Sequence, residues 1–222
     1  MKRTDYRLYT ATIVTLSGVR VGGSDDLLQI GGADLTVIKH PVTRQPYLPG
    51  SSIKGKMRSE LEKAGEFDSS ATDQPCKCGE CLICRVFGPH MSPQHKLGPT
   101  RIIVRDAPVI GEATIESKAS TAINRETGSA FGGSLRTEER VSAGSRFALE
   151  IGLQIFDIDN LEELQEVVKE GLKLLELSGI GAGVGKGSGK IRLDNKDIKT
   201  EAQIVATLSA WPKPAAQPAV GG

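Results

Sequence analysis

Glycine occupies every second position from Gly179 to Gly189, in the run Gly-Ile-Gly-Ala-Gly-Val-Gly-Lys-Gly-Ser-Gly. A strand built this way packs almost nothing and loses much backbone entropy, so the alternation predicts a loop. The flanks confine it. A helical stripe of Leu161, Leu164, Val168, Leu172 and Leu175 runs in, and a strand-like Lys190-Ile191-Arg192-Leu193 runs out. A loop stripped of side chains between two regular elements lets its backbone approach something closely. Bare N–H groups beside Lys186 and Lys190 suit an anion, and a polyphosphate chain is the candidate.

The totals bound what surrounds this loop. A chain of 222 residues allows one large domain or a small domain with insertions. Hydrophobic residues at 38% and charged residues at 25% are enough for a packed core. The net charge of +1 means that any nucleic-acid surface is local, with acidic residues placed elsewhere. Aromatics at 4% are too few for base stacking across a sheet face to be the main binding mode. No stretch approaches the ~20 apolar residues of a membrane span, and Met1–Tyr6 lack the apolar core of a signal peptide, so the expectation is a cytoplasmic protein with no membrane partner.

Along the chain, Leu8 to Val21 reads as a strand leading into a glycine-bearing loop. Asp34 sits just after Gly31-Gly32-Ala33 and before Leu35-Thr36-Val37-Ile38, where a loop carboxylate serves either a local turn or a divalent cation. Pro49-Gly50-Ser51-Ser52 reads as a helix start with Ser51 or Ser52 as N-cap. Ile53, Met57 and Leu61 make its buried stripe, while Lys54 and Arg58, four apart, share a neighbouring face. Hydroxyls, two cations and a helix N-terminus together predict a phosphate site. Gly50-x4-Gly55-Lys56 mimics a nucleotide-binding loop, but Met57 stands where a magnesium-binding hydroxyl is needed, so an NTPase is set aside.

Residues 66–100 read as an insertion holding all four cysteines, Cys76, Cys78, Cys81 and Cys84, with His90 and His95 beyond. C-x-C-x2-C-x2-C in a reducing compartment predicts a metal site, structural zinc ahead of an iron–sulfur cluster, with either histidine able to replace one thiol. Residues 111–141 are rich in glycine, small polar residues and spaced arginines, which predicts an extended, mobile hairpin. Phe131 there, between Ala130 and Gly132, is a ring able to wedge between bases. Phe147 to Ile155 alternates as a half-buried strand, Asp159-Asn160 caps the last long helix, and residues 211–222 are an expected disordered tail. The order strand, helix, strand, strand, helix, strand predicts a single α+β domain over residues 1–210 with a ferredoxin-like, RRM-like βαββαβ core, carrying a zinc-bearing insertion and a thumb-like hairpin.

Taken together, Ile30–Asp34, Leu48–Arg58, Cys84–Gly88 and Gly171–Leu177 with the glycine loop resemble the RAMP superfamily, and within it the repeated backbone subunit of type III-A CRISPR (Csm) complexes. The resemblance runs from about Tyr6 to Leu193, with the motifs in the family's order. It implies a ribonucleoprotein subunit that stacks with copies of itself along a guide RNA, alongside other Csm-complex subunits, and cleaves complementary target RNA at regular intervals. Ser51, Ser52, Lys54 and Arg58, with Gly181, Gly183, Gly185, Lys186 and Gly187, then match the grip on the guide backbone. Arg125, Phe131 and Arg136 match the thumb that kinks the guide–target duplex, and Arg20 joins the RNA-binding set. Asp34 falls on the family's cleavage residue, with Mg²⁺ or Mn²⁺ as cofactor, and the cysteines match a zinc-bearing region of some members. A non-catalytic guide-binding scaffold and an endonuclease that processes precursor guide RNA are the alternatives. The second generally wants histidine, and His40, His90 and His95 show no partnership.

Overall fold

The alternation of Phe147, Leu149, Ile151, Leu153 and Ile155 with small or polar residues demands a strand with one dry face, and the computed structural model buries all five in the core. The structure describes residues 1–22, 35–67, 69, 71–92 and 94–209. Asp34 and the tail expected over 211–222 lie outside the described residues. In chain order the elements are β1 (Arg3–Thr15), β2 (Tyr47–Leu48), α1 (Gly50–Ala64), α2 (Leu82–Phe87), β3 (Ile102–Val104), β4 (Ala107–Pro108), β5 (Ile115–Ser120), β6 (Arg136–Val141), β7 (Arg146–Phe156), α3 (Leu161–Ser178), β8 (Ile191–Thr200) and α4 (Glu201–Ser209).

The main sheet has the order β3-β7-β1-β8, with every neighbouring pair antiparallel. Register places Tyr9 opposite Ile151 and Ile198, and Ile13 opposite Phe147 and Leu193, so apolar residues from neighbouring strands share one face. That face is covered by α1, through Ile53, Met57 and Leu61, and by α3, through Leu164, Val167, Val168 and Leu175. The two helices approach closely where Gly171 lacks a side chain, since a methyl there would meet Met57 Cε at 2.9 Å. The other face carries residues such as Thr10, Thr12, Ala148 and Glu150 and bears no helix of this pair. The strand expected to run from Leu8 to Val21 ends at Thr15, and Val19 and Arg20 continue only as isolated bridges. The final strand, expected to end near Leu193, runs to Thr200 and is followed by α4.

Strand directions settle where the helix ends lie. β1 and β3 run the same way because each is antiparallel to β7. α1 begins beside Val104 to Asp106, and α3 leaves the far end of β7 and ends where Ile191 pairs with Thr15. The start of α1 and the end of α3 therefore point toward the same end of the sheet, the end to which β1 runs. The region of the cysteines is not a separate lobe: α2 buries Ile83, Val86 and Phe87 in the same core as the sheet. No helix of the described residues is long and apolar enough to cross a membrane.

Candidate functional site

The glycine run forms a loop with a rigid base and an open tip. Gly179 ends α3 with its N–H on Leu175 O at 2.9 Å, and Ile180 N–H, Ala182 N–H and Gly189 N–H donate to Gly189 O, Arg20 O and Gly18 O at 2.9, 2.8 and 2.9 Å. A methyl at Gly181 would run into the Arg20 carbonyl oxygen, so close backbone approach explains that glycine. The tip is a 3-10 turn, Val184–Lys186. Val184 and Gly185 open it, and their N–H groups have no partner among the described residues. Gly185 has neither a positive φ nor any atom within 4 Å of an added Cβ, so neither backbone conformation nor packing within the described chain requires glycine there. The open space above it is room for a ligand's backbone.

Beside this tip stands the hairpin. β5 and β6 pair over six positions from Ile115↔Val141 to Ser120↔Arg136, and Val141 exchanges hydrogen bonds with Val19 at 2.9 and 2.8 Å. The segment expected to be mobile is thus anchored by β5 and β6, and between Ser120 and Arg136 it is irregular apart from an isolated bridge of Ile123 to Ala130. Two residues not foreseen from sequence join hairpin to loop. Lys118 Nζ donates to Lys186 O at 2.8 Å, and Arg140 Nη1 donates to Ser188 Oγ at 3.2 Å while pairing with Glu116. Their only sequence signal is alternation along β5 and β6, invisible until the strands pair. A groove of about 550 Å³ results, lined by Phe131, Gly132, Gly133, Ser134, Arg136, Lys186 and the Ser120–Ala122 turn. Phe131 is 58% exposed. Arg125, Arg136 and Lys186 are exposed without a side-chain ion pair among the described residues. Arg20 lies at the loop's base, its Nε 3.3 Å from Glu138 Oε2.

The start of α1 differs from expectation. The N-cap is Pro49, not Ser51 or Ser52, and the helix-opening Gly50 N–H donates to Asp106 Oδ1 at 2.7 Å. A carboxylate of the protein itself already meets the dipole there. Ser51 is exposed in the first turn. Lys54 is half-buried, and burial together with the neighbouring Arg58 lowers its pKa. Arg58 is turned inward: it donates to Glu62 Oε1 at 2.8 Å, Gly88 O at 2.8 Å and Cys76 O at 2.6 Å. Its guanidinium is engaged by the chain, where the sequence suggested a grip on phosphate.

Cys76, Cys78, Cys81 and Cys84 converge, with all four sulfurs within 4.8 Å of one another. Sulfur–sulfur separations are 3.5 Å for Cys76–Cys78, 3.8 Å for Cys76–Cys81 and 3.8 Å for Cys78–Cys84. Disulfides need ~2.05 Å, whereas a zinc tetrahedron with Zn–S of ~2.3 Å has edges of about 3.8 Å. Backbone N–H groups of Glu80 and Cys81 donate to Cys78 Sγ at 3.4 and 3.3 Å, and that of Cys84 to Cys81 Sγ at 3.3 Å, as suits thiolate ligands. Burial pushes the Cys84 thiol up to about 11 and that of Cys81 further, so four thiolates at this spacing need a cation. The donor set fits a closed, structural zinc site. His90 and His95 stand outside this group, although His90 N–H donates to Cys76 O at 3.0 Å.

Comparison with known proteins places this geometry in context. The family model described as the RAMP superfamily matches residues 12–192. The chain is 41% identical over 215 residues to the CRISPR system Cms endoribonuclease Csm3 of Methanothermobacter thermautotrophicus, covering 86% of this chain and 85% of that protein. It is 40% identical to the protein of the same name from Methanocaldococcus jannaschii (82% of this chain, 75% of that one). To that from Streptococcus thermophilus it is 33% identical, covering 86% and 93%. Among solved structures, a chain of the Csm3–Csm4 subcomplex in the type III-A CRISPR–Cas interference complex superposes with a TM-score of 0.58 at 27% identity, covering 95% of this chain and 88% of that one.

Proposed function

Because the chain belongs to the RAMP superfamily, we propose that it is the repeated backbone subunit of a type III-A CRISPR interference complex, working in the cytoplasm as a guide-RNA-binding endoribonuclease. The observation that carries this reading is the groove joining Phe131, Arg136 and Lys186 beside the amides of Val184 and Gly185, which have no partner among the described residues. Backbone N–H groups and exposed cations hold phosphates without reading sequence, which is what a protein needs to follow any guide. The start of α1 and the end of α3 face the same end of the sheet, so one RNA strand can run past Lys54 and the glycine tip. The strand order β3-β7-β1-β8, with α1 and α3 on one face, is what a ferredoxin-like core would have. The names of the relatives and of the structural neighbour support the activity and the presence of other Csm subunits as partners; stacking with further copies of this chain is part of the proposal and rests on the sequence resemblance.

Cleavage follows from the thumb. A ring such as Phe131 beside Gly132 and Gly133 unstacks the guide–target duplex and displaces a target nucleotide. That nucleotide is free to bring its own 2′-hydroxyl in line with the adjacent phosphorus. The hydroxyl oxygen bonds to phosphorus as the P–O5′ bond breaks, and the departing 5′-oxygen takes a proton from water, giving a 2′,3′-cyclic phosphate and a free 5′-hydroxyl. Asp34 orients that hydroxyl or takes its proton. Mg²⁺ or Mn²⁺ held by Asp34 with RNA phosphate oxygens would supply charge neutralisation at the phosphoryl oxygens. The test is labelled guide and complementary target incubated with the protein, with and without Mg²⁺. Regularly spaced, Mg²⁺-dependent cuts are expected. Binding without cuts would leave a passive scaffold, and metal-independent cutting of precursor guide alone would mean a processing enzyme.

Two substitutions probe the groove. Lys186→Ala should weaken guide binding and reduce the slope of log K against log salt by about 0.7 for each single-strand phosphate that the lysine had neutralised. Gly185→Ala should leave the melting temperature unchanged, since nothing in the described chain lies within 4 Å of the new methyl. It should cost guide affinity about 10–100-fold, the loss of one hydrogen bond to a charged phosphate. Unchanged affinity in a filter-binding titration would remove the tip from the interface.

A further inference from the structure

α1 and the cysteine segment are joined by a closed set of hydrogen bonds that RNA binding does not explain. Glu62 Oε1 accepts from the Cys76 N–H at 3.0 Å and from Arg58 Nε at 2.8 Å. Arg58 Nη2 donates to the Cys76 carbonyl at 2.6 Å, and Nη1 to the Gly88 carbonyl at 2.8 Å. The peptide groups on both sides of Cys76 are thereby gripped by one ion pair. Gly88 ends α2, the helix that carries Cys84 and is capped by the Cys81 sulfur. Arg58 thus bridges the first ligand-bearing residue to the far end of the segment that bears the others. The pair is largely shielded, with side-chain exposures of 13% and 8%, so its bonds are weakly screened by solvent.

We infer that Arg58 and Glu62 are the positioning pair of the cysteine site: they fix Cys76 and the end of α2 so that the four sulfurs stand at ligand spacing before the ion arrives. The inference rests on reading the cysteines as a zinc site. Ligand sets held by outer hydrogen bonds bind metal more tightly because less chain is ordered on binding. Linkage works in both directions, so the ion in turn stiffens the half of α1 that follows Lys54. Arginine is required rather than lysine, because three different nitrogens of one guanidinium, Nε, Nη1 and Nη2, each serve a separate acceptor, which a single ammonium nitrogen cannot do at these positions.

The test uses the full chain, stripped of metal under reducing conditions and titrated with Zn²⁺ against a chromophoric chelator. Co²⁺ absorption reports the thiolate coordination. The wild-type chain should take up one Zn²⁺. Arg58→Met should bind it about 10–100-fold more weakly while the Co²⁺ spectrum keeps its four-thiolate form, and Arg58→Lys should recover only part of the loss. Glu62→Gln keeps the side-chain shape and the Cys76 contact but discharges the pair, so it tests the same idea with a smaller loss should Arg58→Met not fold. A purely structural role would lower the melting temperature of the metal-free and zinc-loaded forms equally, whereas a positioning role shrinks the gain that Zn²⁺ gives. Wild-type zinc affinity in both variants overturns the inference and leaves the zinc site standing. A wild-type chain that binds no zinc overturns the zinc reading itself.

Discussion

Asp34→Ala is expected to reduce target cleavage by about 10²–10⁴-fold, the range for removing a positioned acid–base group, while guide and target binding stay within about twofold. The separation of the two effects follows from where the neighbouring chain is held. Leu35, the next residue, accepts from Glu139 N–H at 2.8 Å and donates to Thr137 O at 3.4 Å, and Val37 N–H donates to Glu139 Oε2 at 3.2 Å. These bonds tie the segment after Asp34 to β6, the same strand whose start supplies Arg136 to the groove. On the proposed function RNA lies against that hairpin, beside which the chain following Asp34 is tied, and a carboxylate adds nothing to the groove's positive charge. Removing it takes away chemistry and removes no cation or amide that holds phosphate. Single-turnover cleavage of labelled target, at protein concentrations where both variants are saturated with RNA, separates rate from affinity. Wild-type cleavage by the variant would remove Asp34 from the reaction, and loss of guide binding would make it a structural residue.

What the sequence disclosed divides along the range of the interactions concerned. The four cysteines, the stripes Ile53-Met57-Leu61 and Leu164-Val168-Leu175, and the alternation of β7 are local periodic signals, and each is where its pattern requires. The glycine loop was readable because its composition forbids regular structure. The end of β8 was not readable: Asn195, Lys196 and Asp197 are polar and exposed on an edge strand, so the apolar alternation of Ile191 and Leu193 breaks off there. Serines at the start of α1 suggested their own N-cap. The carboxylate that meets the helix comes from Asp106, 56 residues away, and no local rule reaches that far. Arg58 and Glu62 were visible as an i, i+4 pair, but their grip on Cys76 and Gly88 exists only once the cysteine segment folds back on α1. For Asp34 the local sequence left a turn and a divalent cation open, and only the resemblance chose between them.

Arg101→Met is expected to destabilise the chain by about 3–5 kcal/mol, the cost of stranding one member of a buried ion pair. For a domain of this size that is a fall in melting temperature of about 6–20 °C. Arg101 and Asp159 have side chains 0% exposed and meet in a two-bond fork, Nε–Oδ2 and Nη2–Oδ1, both 2.9 Å. The guanidinium also lies 4.9 Å from the Phe156 ring centroid and donates through Nη1 to the carbonyls of Leu97, at 2.7 Å, and Pro99. Four connections thus end on one side chain: the return of the 66–100 segment, β3, the end of β7 and the start of α3. Methionine fills much of the space but leaves the Asp159 carboxylate without its cation, although the Phe156 N–H still reaches it at 3.0 Å. Removing the charge on both sides, in Arg101→Met with Asp159→Leu, should therefore recover part of the loss, since the desolvation cost of each ion disappears with it. Recovery will be incomplete because the Leu97 and Pro99 carbonyls lose their donor in either case. The loss should be nearly the same in low and high salt, because ions screen a dry pair poorly. Thermal melts followed by circular dichroism at two salt concentrations decide the matter. A drop below about 1 kcal/mol, or one that vanishes in high salt, would place the pair at the surface in solution.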